Sequence, residues 1–224
     1  MLSAFLLAKS ARTACLGVQA LLRHCTVDLP KCLSSSSSRC QQDVAAKIEQ
    51  THNLTILVHE GSEKLLTTYV RYQGEPFGSA DFNPPIQSFE GLPLPPPSTA
   101  VWQDLSDAER LQRNATVFSN FPEFLTAAKN QQAGLSPAAK ELHHQFDRAS
   151  VQCLGLASNL QSIMASLDIP PGPAMPVQVP KTDSAFLMKL TGYSICRLYE
   201  GWASSCQSDM AALAAKYPVC TGPI

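Results

Sequence analysis

A chain of 224 residues, 45% of them hydrophobic and 16% charged, suffices for one ordinary globular domain with some flanking or looping excess. Its 17 Lys and Arg stand against 18 Asp and Glu, a net charge of -1, so no broad basic surface faces phosphate backbones and nucleic acid is not an expected partner. No run approaches the roughly 18 to 20 continuous apolar residues of a transmembrane helix.

Residues 1–24 carry Lys9, Arg12 and Arg23, with no acidic residue before Asp28 and an apolar run over 4–8 that Lys9 breaks. That pattern resembles an amphipathic transit peptide at least as much as a signal peptide. A serine tract, 34–38, follows and offers nothing to pack a core. Residues 1–40 are therefore expected to be a leader outside the fold, and 41–224 the folded domain. Of the eight cysteines, Cys15, Cys25, Cys32 and Cys40 fall in the leader, and Cys153, Cys196, Cys206 and Cys220 in the domain. None has the close paired spacing of a zinc site, and spacing leaves disulfides and buried free thiols equally open.

The first helix is expected over 42–73, where Val44, Ile48, Thr51, Thr55, Val58, Leu65, Leu66 and Tyr69 fall on one side at about 100° per residue. Gly74 ends it. The stretch 74–100 then carries Pro76, Pro84, Pro85, Pro93, Pro95, Pro96 and Pro97, which neither a helix nor a central strand accepts. Ser106 and Glu109 have capping-box spacing and open a second helix, expected over 104–132 and kinked at Pro122. A tight connection leads to Ser136 as cap and Pro137 as first residue of a third helix, 137–167. Its stripe of Leu142, Phe146, Ala149, Cys153, Leu156, Leu160, Ile163, Met164 and Leu167 is the clearest in the chain. Another proline-rich loop precedes a fourth helix, 184–217, which Pro218 stops.

No segment alternates as a strand does, so the class is all-α. Long, short and long connections, in that order, make only the second and third helices tight antiparallel neighbours. That predicts an up-up-down-down four-helix bundle, of the long-chain type, since helices of about 30 residues would be about 45 Å long.

Several stretches carry a more specific likeness: 46–52 (AKIEQTH), 72–85 (YQGEPFGSADFNPP), 102–111 (WQDLSDAERL), 164–171 (MASLDIPP) and 186–217 with Phe186, Lys189, Gly192, Tyr193, Trp202 and Asp209. Together they make 43–217 resemble the cardiotrophin, neuropoietin and ciliary neurotrophic factor branch of the interleukin-6 family of cytokines. The resemblance implies a secreted, monomeric receptor ligand that needs no cofactor and no catalytic residue. Its implied partners are the common signal transducer of the family and the leukaemia inhibitory factor receptor, acting through JAK/STAT signalling. A Phe-x-x-Lys motif opening the last helix implies that Phe186 and Lys189 contact the second of these. On a helical projection Phe186 lies opposite the stripe of Met188, Thr191, Ile195, Leu198, Tyr199, Trp202, Cys206, Met210, Leu213 and Tyr217. The competing expectation is that the first long loop folds over and buries Phe186 with Leu190 and Tyr193.

Trp102 and Asp209 match a second family site, for a ciliary neurotrophic factor α-receptor, but its arginine position is Ser205, whose hydroxyl cannot supply bidentate guanidinium chemistry. A third site is expected on exposed faces of the first and third helices. Asn53-Leu-Thr and Asn114-Ala-Thr fit the glycosylation pattern. Asn53 projects opposite the first helix's stripe, whereas Asn114 lies near Leu111 and Phe118. The histidines lack metal-ligand spacing, and no metal is expected. The leader keeps one rival open, an intracellular or mitochondrial helical adaptor.

Overall fold

The computed structural model describes residues 36–219. They form α1 (Ser36–Gln73), α2 (Thr99–Gln103), α3 (Asp107–Leu135), α4 (Lys140–Ser166) and α5 (Ala185–Lys216), with no strand among the described residues. The protein is a four-helix bundle with one additional short helix, α2.

Helix boundaries follow local chemistry, with three departures from expectation. First, α1 starts at Ser36, inside the serine tract assigned to the leader. Second, Ser136 closes α3, its N–H donating to Gln132 C=O, and does not cap the next helix. A turn in which Ala139 N–H bonds Ser136 C=O intervenes, so α4 opens at Lys140 without a side-chain cap. Third, α2 lies where a loop was expected. Ser106 and Glu109 do form the reciprocal capping box, and Pro122 sits within the unbroken span of α3.

Packing joins α1 to α4 and α5, and α3 to the same two helices. Side-chain contacts give the sense of three of these four pairings. On α1, Tyr69 reaches Lys189 of α5 and His59 reaches Gln207; Lys47 meets Ser166 of α4 and Arg71 meets Glu141. On α3, Lys216 of α5 bonds Asp107, and Tyr199 stacks edge-on against Phe121. Each of these pairs runs in opposed directions. The expected stripes are the core: Val44, Ile48, Thr51, Thr55, Val58, Leu65 and Tyr69 of α1, and all of the α4 stripe up to Met164, are buried.

The fourth helix departs from a one-sided pattern. From Thr191 to Cys196 α5 is buried all round, because the 74–98 segment covers its outer face. Phe77 and Leu92 of that segment are buried. Gln87 N–H donates to Ser194 Oγ at 2.9 Å, and Trp202 Nε1–H donates to Leu94 C=O at 2.8 Å. The two long connections also meet: Gln178 N–H donates to Glu90 C=O at 3.1 Å, beside Gly91 at φ 79°. A Cβ on Gly91 would lie 1.9 Å from Pro176 O.

Cys153, Cys196 and Cys206 are unpaired and buried, which resolves the alternative left open for these three. Cys15, Cys25, Cys32 and Cys220 lie outside the described residues, as does the leader up to residue 35. Among the described residues no helix is long and apolar enough to cross a membrane.

Candidate functional site

Three surfaces of the bundle collect the residues singled out by sequence. The first is the start of α5. Ser184 caps it, its side chain accepting from Leu187 N–H at 3.4 Å. Phe186 is 48% exposed and Leu187 43%. Phe186 rests against Phe77 of the first loop, with ring centroids 6.0 Å apart; Phe77 in turn packs on Phe82 at 5.0 Å and Tyr193 at 6.1 Å. Both sequence expectations are thus partly realised. The loop does fold over this turn, burying Tyr193 and partly covering Leu190, yet it stops beneath Phe186 and leaves half of it open.

Lys189 is not a free cation. Its Nζ donates to Gln73 C=O at 2.8 Å, at the C-terminal end of α1, where unpaired carbonyls and the helix dipole favour positive charge. Tyr69 Oη–H, from the same end of α1, donates to Lys189 C=O at 2.8 Å. The two ends are therefore laced together, and sequence reading missed it because the partners are 116 and 120 residues apart.

The second surface surrounds Asp209. Trp102 Nε1–H lies 2.8 and 3.0 Å from its two carboxylate oxygens, and Asn114 Nδ2–H donates at 2.7 Å. Arg110 Nε stands 3.9 Å away. Trp102 is only 7% exposed and packs edge-on against Trp202 at 5.6 Å, with the Arg113 guanidinium 5.9 Å above its ring. Burial pushes the Asp209 carboxyl above its ordinary value, against the opposing hydrogen bonds from Trp102 and Asn114. Next to it, Asp107 accepts from Arg110 at 2.6 Å and from Lys216 at 2.7 Å. Burial raises that carboxyl too, but the bonds and charges of Lys216 and Arg110 outweigh it and the net shift is downward. The family resemblance puts Trp102 and Asp209 in one site, without Arg110 and Asn114. The spacing of Asp107, Arg110 and Asn114, at i, i+3 and i+7, was the available signal.

Asn114, already set near Leu111 and Phe118 by the helical projection, is a poor glycan acceptor. It is 1% exposed and its amide is engaged by Asp209, which leaves no open nitrogen in the folded protein. Asn53 is exposed on α1.

The third lies on the exposed sides of α1 and α4, which pack against each other. Leu57 is 49% exposed, Val151 69% and Leu154 57%, on neighbouring helices. These apolar positions were not singled out by sequence, since each lies off its helix's buried stripe. Lys140, His144 and Asp147 of α4 are exposed as well, and Asp147 pairs with Lys129 at 2.6 Å.

The profile of the family described as plethodontid receptivity factor matches residues 37–221. Cardiotrophin-1 of Mus musculus is 37% identical over 177 residues, covering 75% of this chain and 85% of that protein. Cardiotrophin-2 of Mus musculus is 31% identical over 201 residues, 87% of this chain and 98% of its own length. Ciliary neurotrophic factor of Oryctolagus cuniculus is 28% identical over 152 residues, 66% and 73% of the two chains. These relatives, with which the helical bundle agrees, identify the chain as a member of the interleukin-6 family of cytokines, in the branch of the cardiotrophins and ciliary neurotrophic factor.

Proposed function

We propose that the protein is a secreted, monomeric cytokine that bridges two receptor chains, the common signal transducer of the family and the leukaemia inhibitory factor receptor. Bridging raises the effective concentration of the chains for one another, and their associated kinases then signal through JAK/STAT. The ligand itself supplies no catalytic group and needs no cofactor. The opposed pairings of α1 and α3 with α4 and α5 favour the up-up-down-down order.

The observation that carries this reading is the half-exposed Phe186 ring beside Lys189 at the opening of α5. An aromatic held on a packed base, with a cation one turn away, has the composition of an interface anchor. The exposed Leu57, Val151 and Leu154 support a second receptor surface on α1 and α4. Use of an α-receptor has less support, because the polar groups of Trp102 and Asp209 are spent on each other and position 205 is serine.

The test is STAT phosphorylation in cells expressing the receptor chains singly and in pairs. Only the pair is expected to respond. Phe186→Ala should abolish the response while helical circular dichroism and melting stay unchanged, since the ring is half in water already. A response from either chain alone, or one that survives Phe186→Ala, would refute the proposal.

A further inference from the structure

The first turn of α5 carries the proposed anchor, yet little within that turn fixes it. Its N-cap bond is long at 3.4 Å, it has no acidic residue to meet the dipole, and helix ends fray unless held from outside. What holds it lies one turn further in. Tyr69 Oη–H donates to Lys189 C=O at 2.8 Å, and Lys189 Nζ donates back to Gln73 C=O at 2.8 Å. Gln73 Nε2 donates to Gln132 Oε1 at 3.0 Å, and Gln132 Nε2 donates to Tyr69 Oη at 3.2 Å. The four bonds close a ring across α1, α3 and α5 in which Tyr69 and Gln132 are wholly buried.

The ring depends on a missing side chain. A Cβ on Gly192 would lie 2.3 Å from Tyr69 Oη and 2.8 Å from its Cζ, so only glycine lets the phenol reach the Lys189 carbonyl. With Tyr69 at 0% exposure the ring has nowhere to retreat.

We infer that Tyr69, Gln132 and Gly192 are positioning residues that fix the direction in which Phe186 leaves the bundle. This rests on Phe186 being the anchor. Phe186 stands three residues before Lys189, so the backbone oxygen that Tyr69 grips and the ring that the receptor chain meets belong to one helical turn. Stacking on Phe77 fixes the ring from the loop side; the buried ring of hydrogen bonds fixes the backbone from the core side.

The test uses full-length protein with 4-fluorophenylalanine at position 186, the ectodomain of the leukaemia inhibitory factor receptor as one probe and that of the common signal transducer as the other. Tyr69→Phe keeps the ring shape and removes the hydroxyl. It should shift or broaden the fluorine resonance at 186 and weaken binding to the first ectodomain about ten-fold, leaving the second unchanged. Should Tyr69→Phe fail to fold, Gln132→Leu, which removes the donor to the phenol but not the phenol, is expected to act in the same direction. An unmoved resonance in the folded variant, or equal loss for both ectodomains, overturns the inference. Failure of Phe186→Ala to weaken the first ectodomain would instead remove the anchor, with the fluorine resonance still deciding whether the ring orients position 186.

Discussion

A carboxylate taken out of water stays charged only where donors surround it, and Asp209 meets the indole of Trp102 and the amide of Asn114 on its two oxygens. Trp102→Phe keeps an aromatic against Trp202 but withdraws the indole N–H. It should cost about 1.5–3 kcal/mol, the range for a hydrogen bond to a charged group, read as a lower midpoint in denaturant unfolding. Little of this cluster is legible in sequence, because Trp102 and Asp209 are 107 residues apart and nothing local marks them as mutual partners. Phe186 is the opposite case. Its place opposite the buried stripe follows from 100° per residue alone, and the structure finds it half-exposed. Lys189 falls between: its position on the helix can be projected, but its acceptor, the last carbonyl of α1, cannot.

At the scale of elements, the helices were readable because each buries one face, and the capping box of α3 was readable because Ser106 and Glu109 satisfy each other locally. Where the structure departs from the local pattern, a non-local contact decides. Sequence predicts one stripe on α5, yet the helix is covered all round from Thr191 to Cys196 because the proline-rich first connection lies on its back. That connection is no slack tether. It is pinned to the second at Gly91, where φ 79° and the Pro176 carbonyl both exclude a side chain. Gly91→Ala should cost on the order of 2 kcal/mol or more from backbone strain and the clash together. Faster proteolysis within 74–98 and within 167–184, with helical circular dichroism retained, is the expected signature.

Considered whole, the bundle is held by a contiguous core to which every helix contributes, and the three described thiols are part of it. Burial pushes the thiols of Cys153, Cys196 and Cys206 well above their ordinary values, so the reactive thiolate is suppressed as well as shielded. In native buffer, alkylation mapped by mass spectrometry should leave these three unmodified; in guanidinium all three should react together. Early labelling at one of them would reveal local opening of the helix that carries it. Because Cys153, Cys196 and Cys206 hold the core by shape alone, closing these helices waits on no oxidant. A chain synthesised among reduced glutathione and one synthesised in an oxidising lumen should therefore pack these three side chains alike.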